Sequence, residues 1–262
     1  MLDLPLTWVE RYLYPPLFVT VLWCVLTLGL LWINRRGQRV ARIALALTFP
    51  LLVFAHWQLF QVRNDISTLG AYTSCGAALI IWSWHELAFY SGVITGIWRQ
   101  PCPATARGGK RFVYALSTHI YHELAAALEV ILLAHLHVNA LNVVGPLTFV
   151  LLWALLHSAK LNVFLGVRNL TLDWLPTHLQ YLGSFWRQRP YNPLMIPLLI
   201  LFVTLAGLFW FWGSTLSIPG QAVSSVLLAT FATLGVLENW LLILPLGSQQ
   251  KRTPAPQRWG VD

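Results

Sequence analysis

Residues 117–130 read STHIYHELAAALEV and place His119, His122, Glu123 and Glu129 inside a run that is otherwise apolar enough to cross a membrane. An ionisable side chain at the centre of a bilayer costs about 2.5–3.5 kcal/mol on insertion scales, so such groups face the protein interior, pair with one another and mark a site. The spacing i, i+3, i+4 puts His119, His122 and Glu123 on one face of a helix. Other apolar runs carry companions: His85 and Glu86 in WSWHELAFY, His157, Lys160 and Asn162 in LHSAKLN, and Glu238 and Asn239 in GVLENWLLILP. Counted inward at about 1.5 Å per residue from the basic end of each run, most of these groups lie roughly 10–17 Å deep, in one layer.

Three chemistries suit such a layer, and the spacing leaves them open. It can be a structural network, although interhelical polar contacts in membranes average only around 0.6 kcal/mol. It can be a metal site, since His and Glu are the ligands of di-iron carboxylate bundles. Neither a Glu-x-x-His pair nor an H-E-x-x-H motif is present, however. It can hold a tetrapyrrole, because a neutral imidazole is a usual axial ligand and 14 Trp and 13 Phe are available to line a pocket. A proton relay through Glu123, Lys160 and Glu238 is a further use, without an inverted repeat to support a transporter. His56, in FAHWQLF, reads as a hydrogen-bonded packing residue, and His135 and His137 sit near the outer end of their run. No Ser–His–Asp set, phosphate-cradling loop or dinucleotide fingerprint stands out.

The elements that must position these groups are membrane spans. The chain has 262 residues, of which 57% are hydrophobic and only 10% charged, against about 25% charged in a soluble domain. The expected fold class is all-α: one polytopic membrane helix bundle over 1–262 with about seven transmembrane helices. The candidate spans are 15–34, 43–62, 69–96, 112–137, 143–166, 194–213 and 222–246. Arg35, Arg36, Arg39 and Arg42 follow the first; Arg99, Arg107, Lys110 and Arg111 follow the third; Arg168, Arg187 and Arg189 follow the fifth; Lys251, Arg252 and Arg258 follow the seventh. The alternate turns are nearly bare, so the positive-inside rule puts the N-terminus in the periplasm and the C-terminus in the cytoplasm. The N-terminal stretch, with Asp3 and Glu10 and no basic region, reads as lacking a cleaved signal. The net charge of +8 therefore belongs to topology and lipid headgroups, and no basic, aromatic-interleaved module points to nucleic acid. Segment 168–193, RNLTLDWLPTHLQYLGSFWRQRPYNP, is too polar to span and suits the cytoplasmic membrane surface. Cys24, Cys75 and Cys102 have no pairing or zinc spacing.

SAKLNVFLGVRNL at 158–170 and LPTHLQYLGSFWRQRPYNPL at 175–194, with WHE at 84–86, PCP at 101–103 and LP at 244–245, resemble the PuhE-type photosynthetic complex assembly proteins of purple and related phototrophic bacteria. The likeness runs from about residue 70 onward. It departs at Tyr121 and Asn239, where the family usually has His, and at Gln188, where it tends to have Arg. The resemblance implies a multi-pass protein of the bacterial inner (cytoplasmic or intracytoplasmic) membrane. That protein would assemble the reaction centre or light-harvesting complex and have those subunits and membrane lipid as partners. It implies no assigned catalytic residue. The cofactor is left unknown, with bacteriochlorophyll or an iron site as candidates, and whether a reaction is catalysed stays open. The alternative to assembly is a metal-dependent oxidoreductase acting on a bacteriochlorophyll or carotenoid precursor. Candidate ligands are His85, Glu86, His119, His122, Glu123, His157 and Glu238, with Lys160, Asn162 and Asn239 as polar partners. Candidates for partner docking are Arg168, Asn169, His178, Arg187, Arg189 and Asn192.

Overall fold

A computed structural model describes residues 6–244 apart from 171 and 174; the basic residues 251, 252 and 258, Asp3 and Pro245 lie outside them. It is 74% helix with no strand among the described residues, as an all-α fold requires.

A short helix α1 (Trp8–Tyr12) begins at a Thr7–Glu10 capping box and runs into α2 (Tyr14–Arg35), whose first turn tolerates Pro15 and Pro16 because the amides there lack helical partners anyway. Helices α3 (Gln38–Leu47) and α4 (Phe49–Gln61) follow each other with a bend of 41° between them. The bend falls at Thr48, whose hydroxyl donates back to the Ala44 carbonyl at 2.8 Å, next to Pro50, which has no amide proton to give. Helix α5 (Thr68–Tyr90) is the centre of the bundle: Gly70, Ala71, Ser74, Cys75, Ala77 and Ala78 are small enough for its neighbours to approach closely. After α6 (Gly108–Ser117) and α7 (Ile120–Leu136) come α8 (Val144–Leu165), α9 (Met195–Thr215) and α10 (Pro219–Leu241). Leu17, Val25, Phe54, Ile200 and Phe211 leave about half or more of their surface uncovered, the outward apolar face of a membrane bundle.

Among the described residues four helical stretches are individually long and apolar enough to cross a membrane: Trp8–Arg35, Val144–Leu165, Met195–Thr215 and Pro219–Leu241. The α3–α4 pair makes a fifth if it is one span. Two expected spans take a different form. The run 69–96 stops being helical at Tyr90, because the chain turns at Gly92 with φ +75° and returns toward the bundle. The run 112–137 is broken at Thr118–His119, between α6 and the 17-residue α7. Residues 91–98 fill that break. The Thr95 carbonyl accepts from the Tyr121 and His122 amides at 2.9 and 3.1 Å, and Trp98 donates to the Ser117 carbonyl at 3.1 Å. A Cβ on Gly96 would run into the Ser117 and Thr118 backbone. The stretch 91–98 thus supplies acceptors to an α7 N-terminus whose amides would otherwise be unpaired.

The basic stretches converge at one end of the bundle. Gln38 and Arg42 donate to the Ser91 carbonyl, the buried Arg111 donates to the Phe164 and Phe185 carbonyls, and Asn169 donates to the Leu241 and Leu244 carbonyls at 2.6 and 2.9 Å. Segment 168–193 belongs to this end. Its 3₁₀ stretch Thr177–Phe185 buries Leu179 and Leu182 against Phe89 of α5.

Candidate functional site

Glu123, near the start of α7, is the hub of the polar layer. Its Oε1 accepts from Lys160 Nζ at 2.7 Å, and its Oε2 lies 2.8 Å from His157 Nε2 and accepts from Trp153 Nε1 at 3.1 Å. Three residues of α8, at positions 153, 157 and 160, therefore meet one carboxylate, as i, i+4, i+7 spacing on one face allows. His119 stands at the N-cap of α7 rather than on a continuous helix face, with Nε2 3.7 Å from Glu123 Oε1.

A second hub, Glu129, lies deeper on the same helix. His56 Nε2 is 2.7 Å from its Oε1 and His85 Nε2 is 3.4 Å from its Oε2. His56 is hydrogen-bonded as expected, but it is not alone: it ties α4 to α7. Glu129, one of the ionisable groups of 117–130, is not among the candidate ligands above, although it stands two turns beyond His122 on the same side of α7.

Hydrogen-bond chemistry fixes a proton in both hubs. His157 Nδ1 faces the Trp153 carbonyl at 2.9 Å and His56 Nδ1 faces the Leu52 carbonyl at 2.8 Å; a carbonyl oxygen only accepts. Each ring must therefore present N–H at Nδ1, while Nε2 points at a carboxylate oxygen. One proton is shared along each His–Glu contact, so the pair is imidazolium with carboxylate or imidazole with carboxylic acid.

Between the hubs sits His122, fully buried, with no hydrogen bond at either nitrogen. Its Nε2 is 3.6 Å from Glu86 Oε1 and its Nδ1 is 3.9 Å from Glu123 Oε1. The ring is boxed by His85 and Phe89, with centroids 6.4 and 5.2 Å away. Glu86 also lines a cleft of about 330 Å³ between α2, α5, α8 and α10, as does Glu238.

Asn162 and Asn239 do not join the His/Glu layer. Asn162 Nδ2 donates to Asn239 Oδ1 at 2.8 Å, Ser158 donates to the same oxygen at 3.1 Å, and Asn192 Nδ2 donates to Asn162 Oδ1 at 3.1 Å and to the Gly166 carbonyl at 2.8 Å. This amide chain clamps the far end of segment 168–193 onto α8 and α10. Asn192 is 2% exposed, so it acts as a clamp and does not face a partner. Arg168 and Arg189 are exposed, while Asn169, His178 and Arg187 are half-buried.

The model of the family described as "Protein of unknown function (DUF3623)" matches residues 9–252. The chain belongs to this family. A relative from Rhodobacter capsulatus, "Uncharacterized 30.4 kDa protein in puhA 5'region", is 33% identical over 233 residues, covering 87% of this chain and 85% of that protein. No solved structure matches. The DUF3623 membership agrees with the PuhE-type resemblance of the two long motifs.

The polar layer contains no preassembled metal-ligand set. Among the described residues no group of three or more His, Cys, Asp or Glu is arranged to hold a metal ion. The reason is local. His157 and His56 face a carbonyl with Nδ1 and a carboxylate oxygen with Nε2, so each carboxylate stands where a shared ion would sit. His85 and His122 are sealed in the interior. His119 faces a recess of about 100 Å³ beside Lys160 and Phe164.

Proposed function

We propose that this protein is an assembly factor for the bacterial photosynthetic apparatus. It would work in the inner membrane as one multi-pass domain of about seven helices, with the basic end in the cytoplasm. In this reading, segment 168–193 docks a reaction-centre or light-harvesting subunit, and the His/Glu layer holds the bundle in register.

The observation that carries the reading is the build of the segment that holds the resemblance. Its inner residues are fastened by the Asn162–Asn192–Asn239 chain and by Leu179 and Leu182 on Phe89, while Arg168 and Arg189 point outward from a firm base. A preorganised surface with exposed guanidinium groups loses little entropy when it binds. The relative's name places it beside puhA, a photosynthetic context, which supports the choice of partner.

The test is the photosystem content of a phototrophic host carrying Arg168→Glu with Arg189→Glu. Reaction-centre and antenna absorbance should fall while total bacteriochlorophyll synthesis capacity stays intact; replacing His122 and Glu123 should do the same by loosening the bundle. Accumulation of one pigment or carotenoid precursor in these strains would overturn the reading in favour of an oxidoreductase.

A further inference from the structure

Where the basic stretches converge, a cavity of about 140 Å³ is built from three separate parts of the chain: Gln38 at the start of α3, Thr95 and Arg99 in the stretch after α5, and His178 in the surface segment. An amide, a hydroxyl, a guanidinium and an imidazole thus line one small space, and among the described residues no Asp or Glu lines it. Gly92 shapes one wall. It turns the chain with φ +75°, and a Cβ there would crowd Gln38 Nε2 and the His178 ring.

The protein does not use up the donors of this cavity. Thr95 is 1% exposed, yet its Oγ1 has no hydrogen-bond partner among the described residues. His178 Nε2 is likewise buried and unpartnered among them. Gln38 Nε2 donates one proton to the Ser91 carbonyl at 3.2 Å and keeps a second. Arg99 donates from Nε to the Gly96 carbonyl at 3.2 Å and keeps both Nη groups. A buried hydroxyl left unpaired is destabilising, so Thr95 calls for an acceptor from outside the chain. A guanidinium among neutral donors, with Arg42 close by at the Ser91 carbonyl, suits a tetrahedral oxyanion.

The surroundings select a lipid as the source of that oxyanion. Val93 and Ile97, two positions either side of Thr95, are 47% and 71% exposed, so apolar surface for acyl chains stands beside the donors. Basic pockets between membrane helices take phosphate headgroups in this way. A neighbouring cavity of about 360 Å³ shares Gln38 and His178 and is also lined by Asp173 and by Asn34, whose amide oxygen and nitrogen are both buried without a partner among the described residues. An amide and a carboxylate suit hydroxyl groups, which both donate and accept. We propose that the smaller cavity cradles the phosphate of an anionic phospholipid headgroup, with Thr95, Gln38 and Arg99 as donors, His178 closing one side and the headgroup hydroxyls beside Asn34. The bound phosphate ties the start of α3, the stretch after α5 and the surface segment to one another. The site stands apart from the assembly reading and is tested without a photosystem.

The experiment is hydrogen exchange at 91–99 and 177–185 in the full-length, delipidated protein in mild detergent. It is titrated with dioleoylphosphatidylglycerol, with dioleoylglycerol, which has the same chains and no phosphate, and with inorganic phosphate. Phosphatidylglycerol should protect both segments saturably, and the other two should not. Thr95→Val keeps the side-chain shape and gives up a hydroxyl that the protein itself leaves unpaired. It should therefore melt no lower than the parent and yet weaken phosphatidylglycerol binding by about tenfold or more, the loss of one charge-assisted hydrogen bond. Arg99→Gln should weaken binding at least as much. Arg107→Gln, in the same basic stretch but outside the cavity, should bind as the parent does. No saturable protection by phosphatidylglycerol, equal protection by dioleoylglycerol, or affinity unchanged in both Thr95→Val and Arg99→Gln overturns the proposal. Equal losses in Arg107→Gln and Arg99→Gln would reduce the binding to diffuse charge attraction and overturn it too. Protection by inorganic phosphate as strong as by phosphatidylglycerol would assign the cradle to a soluble phosphate compound and overturn the lipid source.

Discussion

Glu129 on α7 and His56 on α4 meet at 2.7 Å although 73 positions separate them. Their contact, with His85 on the other carboxylate oxygen at 3.4 Å, joins α4, α5 and α7 at one point. The His56–Glu129 contact holds a shared proton, so its loss strands a buried polar group. His56→Ala and Glu129→Gln should each destabilise the detergent-solubilised protein by about 1–3 kcal/mol, and the double variant should lose less than the sum of the two. A coupling energy of about 0.5–3 kcal/mol in a double-mutant cycle read by denaturant or thermal unfolding is expected. Strict additivity would mean that the pair does not interact in the folded protein.

Lys160 and Glu123 predict a stranger result. Lys160→Met leaves a buried carboxylate with His157 and Trp153 but without its ammonium. Uncompensating a buried charge costs about 3–5 kcal/mol, whereas replacing both partners of a buried pair is often close to neutral. Lys160→Met with Glu123→Gln should therefore unfold at a higher temperature than Lys160→Met alone. A double variant less stable than the single one would show that Glu123 is held chiefly by His157 and Trp153.

Much of this arrangement was legible from residue types. The inward pairing of Glu123 with His157 and Lys160 follows from helical spacing and the cost of a bare charge in hydrocarbon. The convergence of Arg42, Arg111 and Arg168 at one end follows from charge alternation. What was not legible depends on the third dimension. Nothing local distinguishes His56, which reaches Glu129, from a lone packing histidine. Asn162 and Asn239 share the depth of the His/Glu layer but face each other, a matter of helix rotation that depth counting ignores. The break at Thr118–His119 has no Pro or Gly in it; its cause is the 91–98 stretch supplying acceptors from 20 or more positions away.

Two crossings of the proposed seven, α5 and the α6–α7 pair, carry polar groups that a hydropathy window penalises, so they need a direct check. An alkaline-phosphatase fusion within the 139–141 turn should be active, as a periplasmic site requires, and one at 108–110 should be inactive. Activity at both positions, or at neither, would remove the α6–α7 crossing.

His178 gives the surface segment a pH dependence. Burial, reinforced by the nearby Arg42 and only partly offset by the neighbouring Tyr90 backbone, holds its pKa below the ordinary 6.5. The docked ring resists protonation, while the released ring takes a proton as the pH falls through about 6.5. The released state then binds more protons than the docked state, so docking is fully present above that value and weakens below it. The protection factors of residues 177–185, measured against the intrinsic exchange rate at each pH, should fall between pH 7.5 and 5.5, and His178→Gln should flatten that profile. A flat profile in the unsubstituted chain would mean that His178 does not report on docking.

Gly96 carries the last prediction. A Cβ there meets the Ser117 carbonyl and the Thr118 backbone, and neither is a flexible side-chain end that can swing aside. Relief requires residues 91–98 to back out of the helix break, which withdraws the Thr95 carbonyl from the Tyr121 and His122 amides and loosens the start of α7 where Glu123 sits. Overpacking of this kind costs about 1–3 kcal/mol and more where backbone must move. Gly96→Ala should fall at or above the top of that range in an unfolding measurement and should raise hydrogen exchange at 120–123. Gly207→Ala is the matched control: a Cβ at that position in α9 meets nothing within 4 Å, so it should be neutral or stabilise by up to about 1 kcal/mol through helix propensity. Equal effects of the two substitutions would mean that the 91–98 stretch does not fill the break between α6 and α7.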